Sequence, residues 1–129
     1  MRVIVADERR EVRSALRVLF EQEQFELVGE ADDAESLLAA VSGHTADVLL
    51  LDWELLGTGT PVALHAIRSL APTLRIVARS SRPEAKGPAL GDGVDVFVTK
   101  ADSPEHLLRA IEKAAGLGAG TARTQGEER

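Results

Sequence analysis

Cysteine is absent from the 129 residues, so disulfides play no part in holding this chain together. Positive charge is scarce as well: 15 Lys and Arg stand against 21 Asp and Glu, a net charge of −6. Affinity for phosphate backbones is carried by clustered Lys and Arg, so this balance argues against nucleic-acid binding, and a DNA-binding role would need another domain. No apolar run approaches the length of a membrane span, and the opening MRVIVA leads directly into a strand-like pattern. A cytoplasmic protein without a membrane segment is expected. What is present suits one globular domain with a real core, since 44% of the residues are apolar.

The stretch Ala46–Gly57, ADVLLLDWELLG, organises the rest. An apolar run, Val48, Leu49, Leu50 and Leu51, stops abruptly at Asp52 and gives way to Glu54 and a Gly-rich loop. Such a run without polar alternation predicts a strand buried on both faces, as in a parallel sheet covered by helices. Asp52 then lies at the strand's carboxyl end, the edge at which open α/β sheets bind ligands.

Taken in order, Arg2–Ala6 predicts a strand ending in a second acidic pair, Asp7-Glu8. From Arg10 to Gln22, Val12, Leu16, Leu19 and Phe20 recur at helical spacing. Phe25–Ala31 reads as a strand nearer the sheet edge, and Asp33–Val41 as a helix closed by Ser42-Gly43. After the Asp52 strand, Thr60 is expected as an N-cap, with Pro61 opening a helix to Leu70. Leu74–Ala78 is the fourth strand. Pro83–Gly91 is expected to be a short or broken helix, because Pro88 removes an amide donor inside it. Val94–Val98 reads as strand five, and Ser103-Pro104 starts a last helix with Leu107, Leu108 and Ile111 inward. The composition divides residues 1–115 from a flexible tail or linker over 116–129.

Alternating strands and helices with right-handed crossovers predict a doubly wound, five-stranded parallel sheet, (βα)5, with flavodoxin-like order 2-1-3-4-5. In that order the ends carrying Asp7, Glu8 and Asp52 meet at the switch point. Like-charged carboxylates at roughly 5 Å and an effective dielectric near 20 repel by about 3 kcal/mol per pair, so the cluster is expected to hold a proton or a hard cation such as Mg²⁺. Ser80, after strand four, and Lys100, after strand five, add a hydroxyl and an ammonium to the same edge.

These spaced residues resemble the receiver domain of two-component response regulators, from Arg2 to about Ala115. The resemblance implies that Asp52 is a phosphoacceptor and that Asp7, Glu8 and the backbone carbonyl of Glu54 join it in holding Mg²⁺. It further implies that Ser80 and Lys100 meet the phosphoryl group and that Phe97 is an aromatic switch. A sensor histidine kinase or phosphotransfer protein is the implied donor. The implied docking or self-association surface is helix 4, strand 5 and helix 5, here carrying Arg82, Glu84, Lys86, Asp95, Asp102, His106 and Arg109. His44, His65 and His106 are expected on the surface, so no histidine competes with Asp52.

The sequence departs from the family pattern at Glu8, where Asp is more usual, and at Leu56, where many members carry Pro. Gly57-Thr58-Gly59 should loosen the loop after Asp52, Arg79 puts a charge in a buried strand that must find a partner or reach solvent, and Gly87-Pro88 falls in the signalling helix. Three functions stay open: a phosphorylatable switch that is not an enzyme in the usual sense, a receiver-like interaction module that works without phosphorylation, and a phosphotransfer hydrolase using Asp52 with Glu54 as acid/base.

Overall fold

A computed structural model describes the backbone of residues 1–127 and the side chains through residue 117. Its strands are β1 (Arg2–Ala6), β2 (Glu26–Ala31), β3 (Val48–Asp52), β4 (Arg75–Ser80) and β5 (Val96–Thr99). They form one parallel sheet in the order β2-β1-β3-β4-β5, as the sequence predicts. The helices are α1 (Arg10–Gln22), α2 (Ala34–Gly43), α3 (Thr60–Leu70), α4 (Lys86–Gly91) and α5 (Pro104–Glu127).

Alternation along the central strands divides the core in two. Ile4, Leu49, Leu51, Ile76 and Ala78 face Leu37, Val41, Leu64, Ile67 and Ala89 of α2, α3 and α4. Val3, Val5, Val48, Leu50, Val77 and Val98 face Leu16 and Phe20 of α1 and Leu107, Ile111 and Ala114 of α5. Because both faces are covered, β3 is buried along its whole length. Leu108 is only partly buried beside the second cluster.

Local chemistry explains the boundaries. Asp33 caps α2, accepting from the Ser36 amide at 2.8 Å while the Ser36 hydroxyl accepts from the Asp33 amide at 3.2 Å. Thr60 is not the N-cap that the sequence suggests: it is the first residue of α3, buried, and its hydroxyl donates to the Gly57 carbonyl at 2.9 Å. That bond closes a 3-10 turn over Gly57–Gly59, where Gly57 takes φ 55°, a conformation that glycine adopts without strain. The fourth helix is short, as Pro88 requires, with a 3-10 turn over Pro83–Ala85 leading into six residues of α4. Strand β4 extends two residues beyond its expected end, carrying Arg79 and Ser80 into the ladder. Helix α5 continues through Gly116 to Glu127, where composition predicts a tail or linker; a helix already nucleated by packed turns propagates easily. Residues 128–129 of that expected tail lie outside the described residues.

Candidate phosphoryl-acceptor site

The carboxyl ends of β1, β3, β4 and β5 bring together Asp7, Asp52, Ser80 and Lys100. Asp52 closes β3 and is 5% exposed, Asp7 follows β1 at 3%, and Ser80 closes β4 at 0%. Lys100 follows β5, its amide held by the Ser80 carbonyl at 2.8 Å, and its Nζ lies 3.0 Å from Asp52 Oδ1. The Glu54 amide donates to the same Asp52 oxygen at 3.2 Å.

Burial pushes the Asp52 carboxyl above its ordinary value, and the neighbouring charge of Asp7 pushes in the same direction. The hydrogen bond and charge of Lys100 and the Glu54 amide oppose that rise. The result is a partly desolvated carboxylate with an ammonium alongside, an arrangement suited to accepting an electrophilic group whose negative charge must be neutralised.

The acidic cluster is smaller than the sequence suggests. Asp7 turns inward, accepting from the Arg9 amide at 2.8 Å, whereas Glu8, next in the same turn, is exposed. Among the described residues, no three His, Cys, Asp or Glu side chains gather as a metal-holding group. The donors that do converge are two buried carboxylates. A hard cation that keeps several waters needs only one or two of them, so Asp7 and Asp52 fit Mg²⁺, with Glu8 outside the cluster.

Arg79 supplies a cation that the sequence left without a partner. It leaves β4 on the α1/α5 face, beside a hollow lined by Leu16, Leu19, Thr99 and Leu107, and its Nη1 lies 3.8 Å from Asp7 Oδ2. The half-buried Arg79 charge is thereby paired, and Asp7 has a partner on each oxygen.

Glu54 takes a part that its spacing from Asp52 did not announce. Its side chain folds back over the site: Ser80 Oγ donates to Oε2 at 2.5 Å, Lys100 Nζ lies 3.6 Å from Oε1, and Arg82 Nε lies 3.9 Å from Oε2. The Arg82 amide in turn donates to Ser80 Oγ at 3.0 Å. The acids Asp52 and Glu54 at the end of β3 and the base Arg82 after β4 were the available signal, but nothing local aims them at one another.

Phe97 is paired with Ala78 in the ladder, half-buried against the cluster under α2, α3 and α4. Asp95 does not belong to an exposed docking surface: its side chain is 15% exposed and accepts from the Ile76 amide at 2.8 Å and from Arg68 and Arg75 at 3.1 and 3.4 Å. It lies just before the amino end of β5, away from Asp52. The other surface charges are exposed except for Asp102, which accepts from the Thr99 amide at 2.9 Å, and all three histidines are exposed.

Comparison with known proteins gives the family and the fold. The family model of the response regulator receiver domain matches residues 3–112. The chain is similar to the Fimbriae Z protein of Salmonella typhimurium, 30% identical over 113 residues that make up 85% of this chain and 54% of that one. It therefore spans about half the length of the curated relatives it matches. Among solved structures, a LuxR-family two-component response regulator from Aurantimonas sp. superposes with TM-score 0.80 at 28% identity, covering 89% of this chain and 84% of that one. The isolated REC domain of RcsB from Salmonella enterica serovar Typhimurium, in the presence of phosphomimetic BeF3⁻, gives TM-score 0.75 at 26% identity, covering 87% and 86%.

Proposed function

The chain belongs to the response regulator receiver domain family, a signalling domain of two-component systems rather than a classical enzyme, and on that premise we propose that Asp52 accepts a phosphoryl group from a sensor histidine kinase or phosphotransfer protein. The observation that carries this reading is the buried Asp52 carboxylate with Lys100 Nζ at 3.0 Å and the Ser80 hydroxyl on the neighbouring strand end. An Asp52 oxygen attacks phosphorus as the bond from phosphorus to the donor breaks, and the donor leaves with that electron pair; an acyl phosphate remains on Asp52. Lys100 neutralises charge on the transferring group and Ser80 donates to one of its oxygens.

Mg²⁺, when bound, supplies further charge neutralisation at the phosphoryl oxygens. Asp7, Asp52 and the Glu54 backbone carbonyl would hold it, with the exposed Glu8 outside that set. Phosphorylation draws Ser80 and Lys100 toward Asp52, Phe97 turns into the space behind Ser80, and the surface of α4, β5 and α5 changes. That surface, bearing Arg82, Glu84, Lys86, Asp102, His106 and Arg109, engages a partner or a second copy weakly, with charges of both signs suited to a symmetric dimer. Residues 1–115 form the receiver unit and 116–129 an extension beyond it. The protein acts in the cytoplasm, and its net charge of −6 argues against DNA contacts by this chain itself. Among the described residues, no helix is long and apolar enough to cross a membrane.

A second reading, an interaction module working without phosphorylation, is favoured by the guanidinium of Arg79 against Asp7. One experiment separates the two. With acetyl phosphate and Mg²⁺, the native chain should gain the mass of one phosphoryl group and Asp52→Asn should gain none; absence of the gain in both supports the module.

A further inference from the structure

We propose that the Glu54 carboxylate is a positioning residue occupying the place of the incoming phosphoryl group, so that it holds Ser80 and Lys100 in a drawn-in arrangement before any phosphorylation. This rests on the reading of Asp52 as phosphoacceptor. The two groups expected to receive phosphoryl oxygens are the Ser80 hydroxyl and the Lys100 ammonium, and Glu54 engages both, one through each carboxylate oxygen. Ser80 is fully buried, so its hydroxyl has no water to turn to and keeps its donor on Glu54 at 2.5 Å. Lys100 spans the two carboxylates, 3.0 Å from Asp52 and 3.6 Å from Glu54, in the manner of a cation bridging an acceptor and an occupant. Arg82 closes the outer side, its amide on Ser80 Oγ and its guanidinium 3.9 Å from Glu54.

Two consequences follow from charge and from counting donors. A phosphoryl group arriving on Asp52 carries close to two negative charges, so it repels Glu54 and competes with it for the one Ser80 hydroxyl and the shared ammonium. Glu54 must swing out to solvent, which it can reach because it lies at the rim, its side chain 34% exposed. The carboxylate thus slows entry of an anionic donor. It also reduces the structural change that phosphorylation produces, since the strand ends carrying Ser80 and Lys100 are already tied together.

The test compares the native chain with Glu54→Ala, Glu54→Gln and Asp52→Asn, using acetyl phosphate with Mg²⁺ as donor and mass spectrometry and amide exchange as readouts. Glu54→Ala should be phosphorylated about tenfold faster. Without donor, it should exchange the amides of Ser80–Arg82 and Val96–Lys100 several-fold faster than the native chain. Glu54→Gln keeps an acceptor for Ser80 but loses the charge, so it should show native exchange at Ser80–Arg82 with a raised phosphorylation rate, a split that mere loss of stability does not produce. Native rate and native exchange in Glu54→Ala would overturn the proposal. If Asp52→Asn abolishes the mass gain while Glu54→Ala behaves as the native chain, the phosphoacceptor reading stands and only the role of Glu54 falls. If no variant gains mass, the phosphoacceptor reading falls, and the donor-free exchange still decides whether Glu54 holds Ser80 and Lys100.

Discussion

Lys100 Nζ rests 3.0 Å from Asp52 Oδ1, the side chain following β5 reaching across the end of β4 to a carboxylate at the end of β3. The contact offsets part of what burial and Asp7 cost the ionised Asp52, and it leaves the Asp52 carboxyl above its ordinary value.

Asp52→Asn should therefore stabilise the protein near neutral pH. The folded chain holds a proton on Asp52 more tightly than the unfolded chain does, so native stability declines as pH rises from the ordinary Asp value of 3.8 through the raised folded value. Thermal unfolding at pH 7 should show the Asn variant higher by roughly 3–5 °C. The difference should vanish below pH 3.8. An equal gain at every pH would mean that it arises from packing rather than from the charge.

On the proposed metal role of Asp7, a divalent ion must compete with Arg79, whose Nη1 is 3.8 Å from Asp7 Oδ2. Arg79→Met keeps the apolar stem beside Leu16 and Leu107 and removes the charge. Mg²⁺ titration followed by Trp53 fluorescence should show roughly tenfold tighter binding in this variant, about 1.4 kcal/mol. The reporter is well placed: Trp53 follows Asp52 and its amide donates to the Arg79 carbonyl at 2.8 Å. An unchanged midpoint would show that Arg79 does not oppose the metal.

Asp95 is predicted to matter for folding and not for phosphorylation. It joins the Ile76 amide to Arg68 and to Arg75 Nη1, while Arg75 Nε is buried with no hydrogen-bond partner. Asp95→Ala removes the acceptor of the Ile76 amide and the carboxylate facing Arg75, while Arg68 keeps the Leu74 and Gly93 carbonyls at 2.6 Å; it should cost about 2–3 kcal/mol in urea unfolding, while the phosphorylation rate of the folded fraction stays native.

Much of this protein was legible in the sequence because the relevant patterns are local. The unbroken apolar run of Val48–Leu51 reads as a strand covered on both faces, and the helical spacing of Val12, Leu16, Leu19 and Phe20 marks a stripe that meets it. Strand ends punctuated by Asp7, Asp52, Ser80 and Lys100 follow from the same reading, since crossover chirality then brings all four to one edge.

Only the tertiary structure decided what each of those side chains does there. Glu8 and Asp7 are adjacent acids, yet one faces solvent and the other is buried between an amide and a guanidinium, because the turn into α1 offers an inward position to the first alone. Arg79 is paired with a residue 72 positions earlier, Glu54 with Ser80 26 positions later, and Asp95 with Arg68 27 positions earlier. Periodicity specifies which face of a strand or helix is apolar, since that depends on neighbours a few residues away. Which charge neutralises which depends on distances between strand ends set by the whole sheet, and no local pattern encodes them.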